Sequence, residues 1–454
     1  MRIRHALPIL LAASVPAALW AFSGGPPLKR TGAPVDGGLT CNACHRGTDL
    51  NAGPGKVTIE VSRYYPGRVH TIKVKVEDTT ASRWGFQLTA RLKSDETKEA
   101  GVFLPSADHR VRCDPDGHDV PAGSTAGCGG ALEFVEHTRP ATMPGTPGSR
   151  TFEVQWLAPG RNVGDVVFYA AGNAANNDNA NTGDHIYTTS AQIGAEDCED
   201  RKGAVPTIAG VSDAASGRAV ISTNSIISIY GGPFASAGDK YGARRNDLSE
   251  GKVPAELACV AVEIAGQRVP VFYVQSDQIN AQAPIMFGSG PVDVRVILNP
   301  GSREKEVRSA IFAASQQPYS PALFTFNGKS VAALNASNKY SYVADPSVVP
   351  GAAPAKPGDV VVLYGTGFGF TEPIYQPGEF SEGAVPIKGE VTVTLGGMAV
   401  PKENLLYTGL SPDAPGFYQF NIKLPDSVQD GDVPVVMSIG GVATQSGATL
   451  PVRR

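Results

Sequence analysis

The chain has 454 residues, a formal net charge of −4 and only 18% charged residues. It therefore lacks the basic stripe that a phosphate-backbone reader needs, which excludes nucleic acid as an expected partner. Its 52 glycines and 36 prolines argue for short strands joined by tight turns, and a hydrophobic share of 42% is enough to build cores, about three of them on length alone.

In chain order, Arg2 and Arg4 precede an apolar run from Ala6 to Phe22 that ends in Ala21-Phe22-Ser23. This predicts a secretory signal peptide over residues 1–23; the other reading is an N-terminal anchor helix, for which the run is short. No later segment approaches the roughly 18 apolar residues of a membrane helix. The expected protein is secreted, or sits at the cell surface or in the periplasm, with no membrane span after signal cleavage.

From Val57 the pattern alternates with period two. Ile72, Val74 and Val76 fall on one face, with Lys73, Lys75 and Glu77 on the other; Trp84, Phe86, Leu88, Ala90 and Leu92 repeat the alternation. Further strands are expected at 151–156, 165–170 and 186–193, giving an antiparallel sandwich over residues 31–194. The polar stretch 195–206 reads as a linker.

The remainder contains an internal repeat. Ser225 to Gly231 corresponds to Asp359 to Gly365, and Val262 to Pro270 corresponds to Val393 to Pro401. Ile279 to Pro284 then matches Phe420 to Pro425, and Gly290 to Val296 matches Gly431 to Met437. Four blocks in one order imply two copies of a small β fold, at 207–315 and 316–454. The fold class expected for the whole chain is all-β, three β-sandwiches in series.

Several motifs carry family resemblances. Thr207 to Val211, Phe272 to Val274, Gln278 to Pro284, Val361 to Gly367 and Pro415 to Asn421 resemble a C-terminal module of secreted bacterial proteins, built of two immunoglobulin-like sandwiches of the IPT/TIG type. That resemblance implies a structural or adhesive module and brings no catalytic residues. Thr31 to Pro34, Tyr65 to Gly67, Trp84 to Arg91, Val135 to Thr138, Trp156 to Pro159 and Ala170 to Asn176 resemble the reelin-type (Reeler) sandwich and its bacterial surface relatives. This implies a secreted recognition domain more than any reaction.

One motif carries chemistry. Thr40-Cys41-Asn42-Ala43-Cys44-His45 is a C-x-x-C-H sequence, the attachment signature of a c-type haem. Two thiols three positions apart can each form a thioether to a haem vinyl group, and the adjacent imidazole reaches the iron. Export agrees with this, since covalent haem attachment takes place outside the bacterial cytoplasm. The competing reading comes from the Reeler resemblance, which implies a structural disulfide near the same position. Cys41 or Cys44 would then pair with Cys113 or Cys128, or with each other, and His45 would be a surface residue. If thioethers consume Cys41 and Cys44, the remaining four can form Cys113–Cys128 and Cys198–Cys259.

For a sixth iron ligand the candidates are His70, His109, His118, His137, His185 and Met143. His137 is preferred because it sits in a short strand block of the same domain, ahead of a Pro/Gly loop; the alternative is a hydrogen-bonded structural histidine. The site expected is thus Cys41, Cys44 and His45, completed by His137, with iron on His45 and His137. The Asn-rich run 176–184 offers oxygen ligands for calcium, or a ligand-binding loop, but departs from an EF-hand at its third and fifth positions. Gly365 to Gly369 is followed by no helix, so no dinucleotide fingerprint survives, and no nucleophile elbow exists. No catalytic residues are expected, and the protein reads as no enzyme. It reads as an exported monohaem cytochrome-like surface protein serving electron transfer or redox sensing, or else as a haem-free adhesion or structural β protein. Its redox or cell-surface partner and its oligomeric state stay open.

Overall fold

The computed structural model describes residues 24–196, 198 and 203–454; the expected signal peptide and part of the expected linker lie outside the described residues. The chain is all-β, an N-terminal sandwich followed by two immunoglobulin-like sandwiches. Among the described residues no helix is long and apolar enough to cross a membrane. Two compact units are present. The first takes residues up to 62, 70–156 and 165–193, and the second takes 63–69, 157–164 and 194–454.

The first unit has ten strands, β1 Lys56–Glu60, β2 Val69–Asp78, β3 Arg83–Leu92, β4 Asp95–Glu99, β5 Val102–Leu104, β6 His109–Cys113, β7 Glu133–His137, β8 Gly148–Leu157, β9 Val166–Ala175 and β10 His185–Ile193. One sheet runs β1-β2-β8-β5 and the other β10-β9-β3-β7-β6, with β4 on β3. The alternating apolar residues interdigitate between them as period-two patterning requires. Phe86 stacks on Phe152 at 4.3 Å and Trp156 meets Phe168 edge-on at 5.1 Å, while Ile72, Val74 and Val76 are fully buried.

β3 departs from the simple sandwich rule because its other face is buried as well. Gln87, Thr89 and Arg91 are fully buried. The segment leading to the cysteine motif covers them: Arg30 N donates to Gln87 Oε1 (2.6 Å), Gln87 Nε2 donates to Pro27 O (3.0 Å), and Arg91 Nη2 donates to Asp36 Oδ2 (2.7 Å). Alternation alone would have left this face to solvent.

In the second unit the repeated blocks pair in equivalent ways. Ile229 faces Ile279 in one sandwich and Leu363 faces Phe420 in the next; Val262 faces Val296 and Val393 faces Met437. Each sandwich has its own apolar core. The loop 157–164, expected to belong with 31–194, joins this unit because Gly160 N donates to the buried Asp247 carboxylate (2.6 Å) and Arg161 donates to the Asp247 and Leu248 carbonyls. Cys198 and Cys259 form a disulfide here, and Cys113 and Cys128 form one in the first unit.

The two immunoglobulin-like sandwiches meet through buried polar bonds. Ile226 N donates to Thr366 Oγ1 (2.8 Å), and Gly378 N donates to Gln282 Oε1 (2.8 Å). Thr366→Val preserves shape but leaves the Ile226 N–H without an acceptor, at a cost of about 1–3 kcal/mol. The expected result is a lower urea midpoint followed by far-ultraviolet circular dichroism; an unchanged midpoint would mean the bond adds nothing.

Candidate functional site

The site begins in a single turn. Thr40 caps it, its Oγ1 accepting from Asn42 N (3.2 Å), and Cys44 N and His45 N both donate to Cys41 O (3.1 and 2.9 Å). A helical turn brings positions i, i+3 and i+4 to one side, so Cys41, Cys44 and His45 are presented together. Cys41 is buried against Ala171 and Ile186 on the covered face of the sheet. Both cysteines are free thiols. Burial pushes the Cys41 thiol up to about 12, so it stays protonated.

His45 is fixed by its Nδ1, which lies 2.5 Å from Oδ2 of Asp184, a residue only 1% exposed. The carboxylate accepts from Nδ1–H and leaves Nε2 as the ring nitrogen with a lone pair, the arrangement that fixes metal-binding histidines. Asn173 Nδ2 lies 3.2 Å from both ring nitrogens, and its Oδ1 is buried without a partner.

The Asn-rich loop 176–184 buttresses the motif. Asn181 Nδ2 donates to Cys44 O (2.9 Å), Arg46 N donates to Asn181 O (2.8 Å), and Asn176 N donates to Asp184 Oδ1 (3.1 Å). Asn177 and Asn179 take positive φ, which asparagine tolerates better than most residues, and this accounts for the composition of the loop.

Of the candidate sixth ligands, the structure brings His137 to the motif. Cys41, Cys44, His45 and His137 line one cleft, with Pro26, Trp84 and Ala175 among its apolar walls and about 1010 Å³ of space up to its open mouth. His137 reaches it because residue 85 is glycine; a Cβ there would stand 2.8 Å from His137 Cε1. The His137 Nδ1 lies 3.0 Å from Phe86 N and 3.2 Å from Phe86 O, so it accepts from the first or donates to the second. The second tautomer frees the Nε2 lone pair. Burial holds the His137 imidazole down at about 4, hence neutral at pH 7.

The other candidates are engaged elsewhere. His185 Nδ1 pairs with Asp78 (2.7 Å), and His109 contacts Ser106 and the Leu104 carbonyl. His118 pairs with Asp116, His70 packs near Trp156, and Met143 stands 39% exposed after a short turn. Sequence reasoning missed Asp184 and Asn173, which meet His45 across 139 and 128 positions. No local signal links such distant residues.

The donors do not converge on one point. Among the described residues, the only cluster of three His, Cys, Asp or Glu ligand atoms within 4.8 Å of one another is Cys198, Glu256 and Cys259, whose cysteines are already bonded to each other. A bare ion in the cleft would therefore leave most of these donors unreached. Two free thiols, an oriented imidazole and a second neutral imidazole within apolar walls fit covalently held haem.

No family model and no curated protein matches the chain. Among solved structures it is similar to the human F-spondin reeler domain, at 17% identity over 33% of this chain and 96% of that one, with a TM-score of 0.22. It is also similar to an uncharacterized Nocardia farcinica protein with an immunoglobulin-like fold (16%, 31% and 99%, TM-score 0.19), and to the BSP domain of a biofilm associated protein (9%, 88% and 66%, TM-score 0.17). The sandwich class rests on the strand pairing itself.

The depressed His137 value has a sign. An unfolded histidine titrates near 6.5, so between about 6.5 and about 4 the unfolded chain binds a proton that the folded chain refuses. Stability is therefore full above about pH 6.5 and falls by up to about 3 kcal/mol as pH drops toward 4. In the haem-free chain, His137→Gln is expected to flatten the fall in urea midpoint between pH 7 and pH 4.5. Equal slopes in both proteins would contradict it.

Proposed function

We propose that the first sandwich is a c-type haem domain, and that the protein is an exported monohaem cytochrome-like surface protein serving electron transfer or redox sensing. The observation that carries this reading is the convergence of Cys41, Cys44, His45 and His137 on one cleft while the other four cysteines are paired. When bound, the haem would supply one-electron chemistry. Cys41 and Cys44 would hold it through thioethers, and His45 and His137 would offer imidazole nitrogens to its iron. Asp184 keeps His45 in the tautomer with its lone pair on Nε2.

The rival disulfide reading of Cys41 and Cys44 has less support, because Cys113 and Cys128 bond to each other and Cys41 and Cys44 are not bonded to one another. The Reeler resemblance of the first sandwich, the IPT/TIG resemblance of the other two and the signal-peptide pattern of residues 1–23 favour a place outside the cytoplasm. There the immunoglobulin-like modules would serve as structural or adhesive units.

Produced in a host with haem-maturation machinery, the full chain should show haem absorbance that survives denaturation and is lost in Cys44→Ala. A colourless wild-type protein from that host would overturn the reading. His137→Ala should convert a low-spin ferric spectrum to a high-spin one; an unchanged spectrum would remove His137 as a ligand and leave attachment untouched.

A further inference from the structure

The first unit balances nearly all of its positive charge. Lys29, Lys56, Lys73, Lys75, Arg91, Lys93, Lys98, Arg110, Arg112 and Arg150 each pair with a carboxylate. Among the described residues, the cationic side chains of this unit without such a partner are Arg30, Arg46, Arg83 and Arg139. Three of these four, Arg30, Arg83 and Arg139, line the cleft that holds the cysteine motif.

Their surroundings sharpen the point. Arg30 is pinned by its backbone bond to Gln87, yet its Nε is buried and makes no hydrogen bond. Arg83 donates to the neutral Asn179 Oδ1 at 3.0 Å. The carboxylate in the cleft wall, Asp184, is occupied by His45 and Asn176 N and so leaves the guanidiniums uncompensated. Burying part of a charge without a partner costs stability, and guanidinium forks match carboxylates geometrically.

We propose that Arg30, Arg83 and Arg139 form the carboxylate-binding edge of the cleft and take the two propionates of a tetrapyrrole in ionised form. The assignment rests on the haem reading above and specifies the chemical class of the ligand further. The cleft selects a flat dicarboxylate over the same ring with its acids masked, and the arginines act as binding residues that neither thioether chemistry nor axial ligation requires.

The test uses the full chain made without maturation machinery, titrated with zinc protoporphyrin IX and with its dimethyl ester, and followed by the shift of the porphyrin absorbance. The free diacid should bind at least about tenfold more tightly, the ratio that one charge-assisted hydrogen bond supplies. Arg83→Gln with Arg139→Gln should bring the diacid down toward the ester while leaving ester binding unchanged. Because Arg139 is exposed, Arg139→Gln alone should reproduce part of the loss without endangering the fold. Equal affinity for the two porphyrins would overturn the arginine edge and leave the haem reading standing. Binding of neither, together with a colourless product from the maturing host, would overturn both.

Discussion

A central strand whose outward side chains are Gln87, Thr89 and Arg91 can be covered only if every polar group it carries finds a partner, because an unmatched buried donor or acceptor costs about as much as several ordinary contacts return. The segment from Pro27 to Asp36 meets that demand group by group, with Pro27 O and Arg30 N on Gln87 and Asp36 on Arg91. Thr89 Oγ1 accepts from Arg91 Nε and donates to Glu133 O. This ladder ties the segment before Cys41 to the outer face of the sheet. The cleft is the space left where the covering segment, β3 and the 176–184 loop fail to meet.

The two imidazoles of that cleft are kept neutral or oriented by different means. His137 is made neutral by burial, with a backbone group of Phe86 as its hydrogen-bond partner. His45 is less buried and is oriented by a carboxylate at 2.5 Å. A carboxylate partner raises the basicity of a ligating imidazole, whereas a backbone carbonyl does so less, so the two imidazoles would be unequal donors to a bound metal. The asymmetry follows from where each residue sits. His45 is on a turn beside a polar loop, and His137 ends a strand tucked under Gly85.

Much of the fold was legible in the sequence because it is local: alternation marked β2 and β3, and the matched blocks of the repeat occupy paired strands with the same facing residues. The cysteine motif was equally plain. Less legible was the burial of the second face of β3, since Gln87, Thr89 and Arg91 look like solvent-facing residues to any period-two reading. Asp184 illustrates the same limit. It stands next to His185, one of the candidate ligands that the sequence offered, yet its role is fixed by a residue 139 positions away. The Asn-rich run invited an oxygen-ligand reading, while its asparagines serve left-handed turns and backbone bonds to the motif.

Net charge is a poor guide to what this cleft attracts. The chain is acidic overall at −4, yet ten cations of the first unit are neutralised in place and three of the four remaining face a single opening. Field lines from charges set in low-dielectric walls are focused into the cavity, so a ligand at its mouth feels those guanidiniums more than the distant acidic surface. An anionic planar group would thus be favoured by the charge of the arginines, by apolar contact with Trp84 and the prolines, and by thiols and imidazoles able to form bonds. These contributions are interleaved along the chain, Pro26, Pro27 and Arg30 ahead of the cysteine motif, Arg83 and Trp84 on β3, and His137 and Arg139 at the end of β7, and it is the covered outer face of β3 that holds these stretches together.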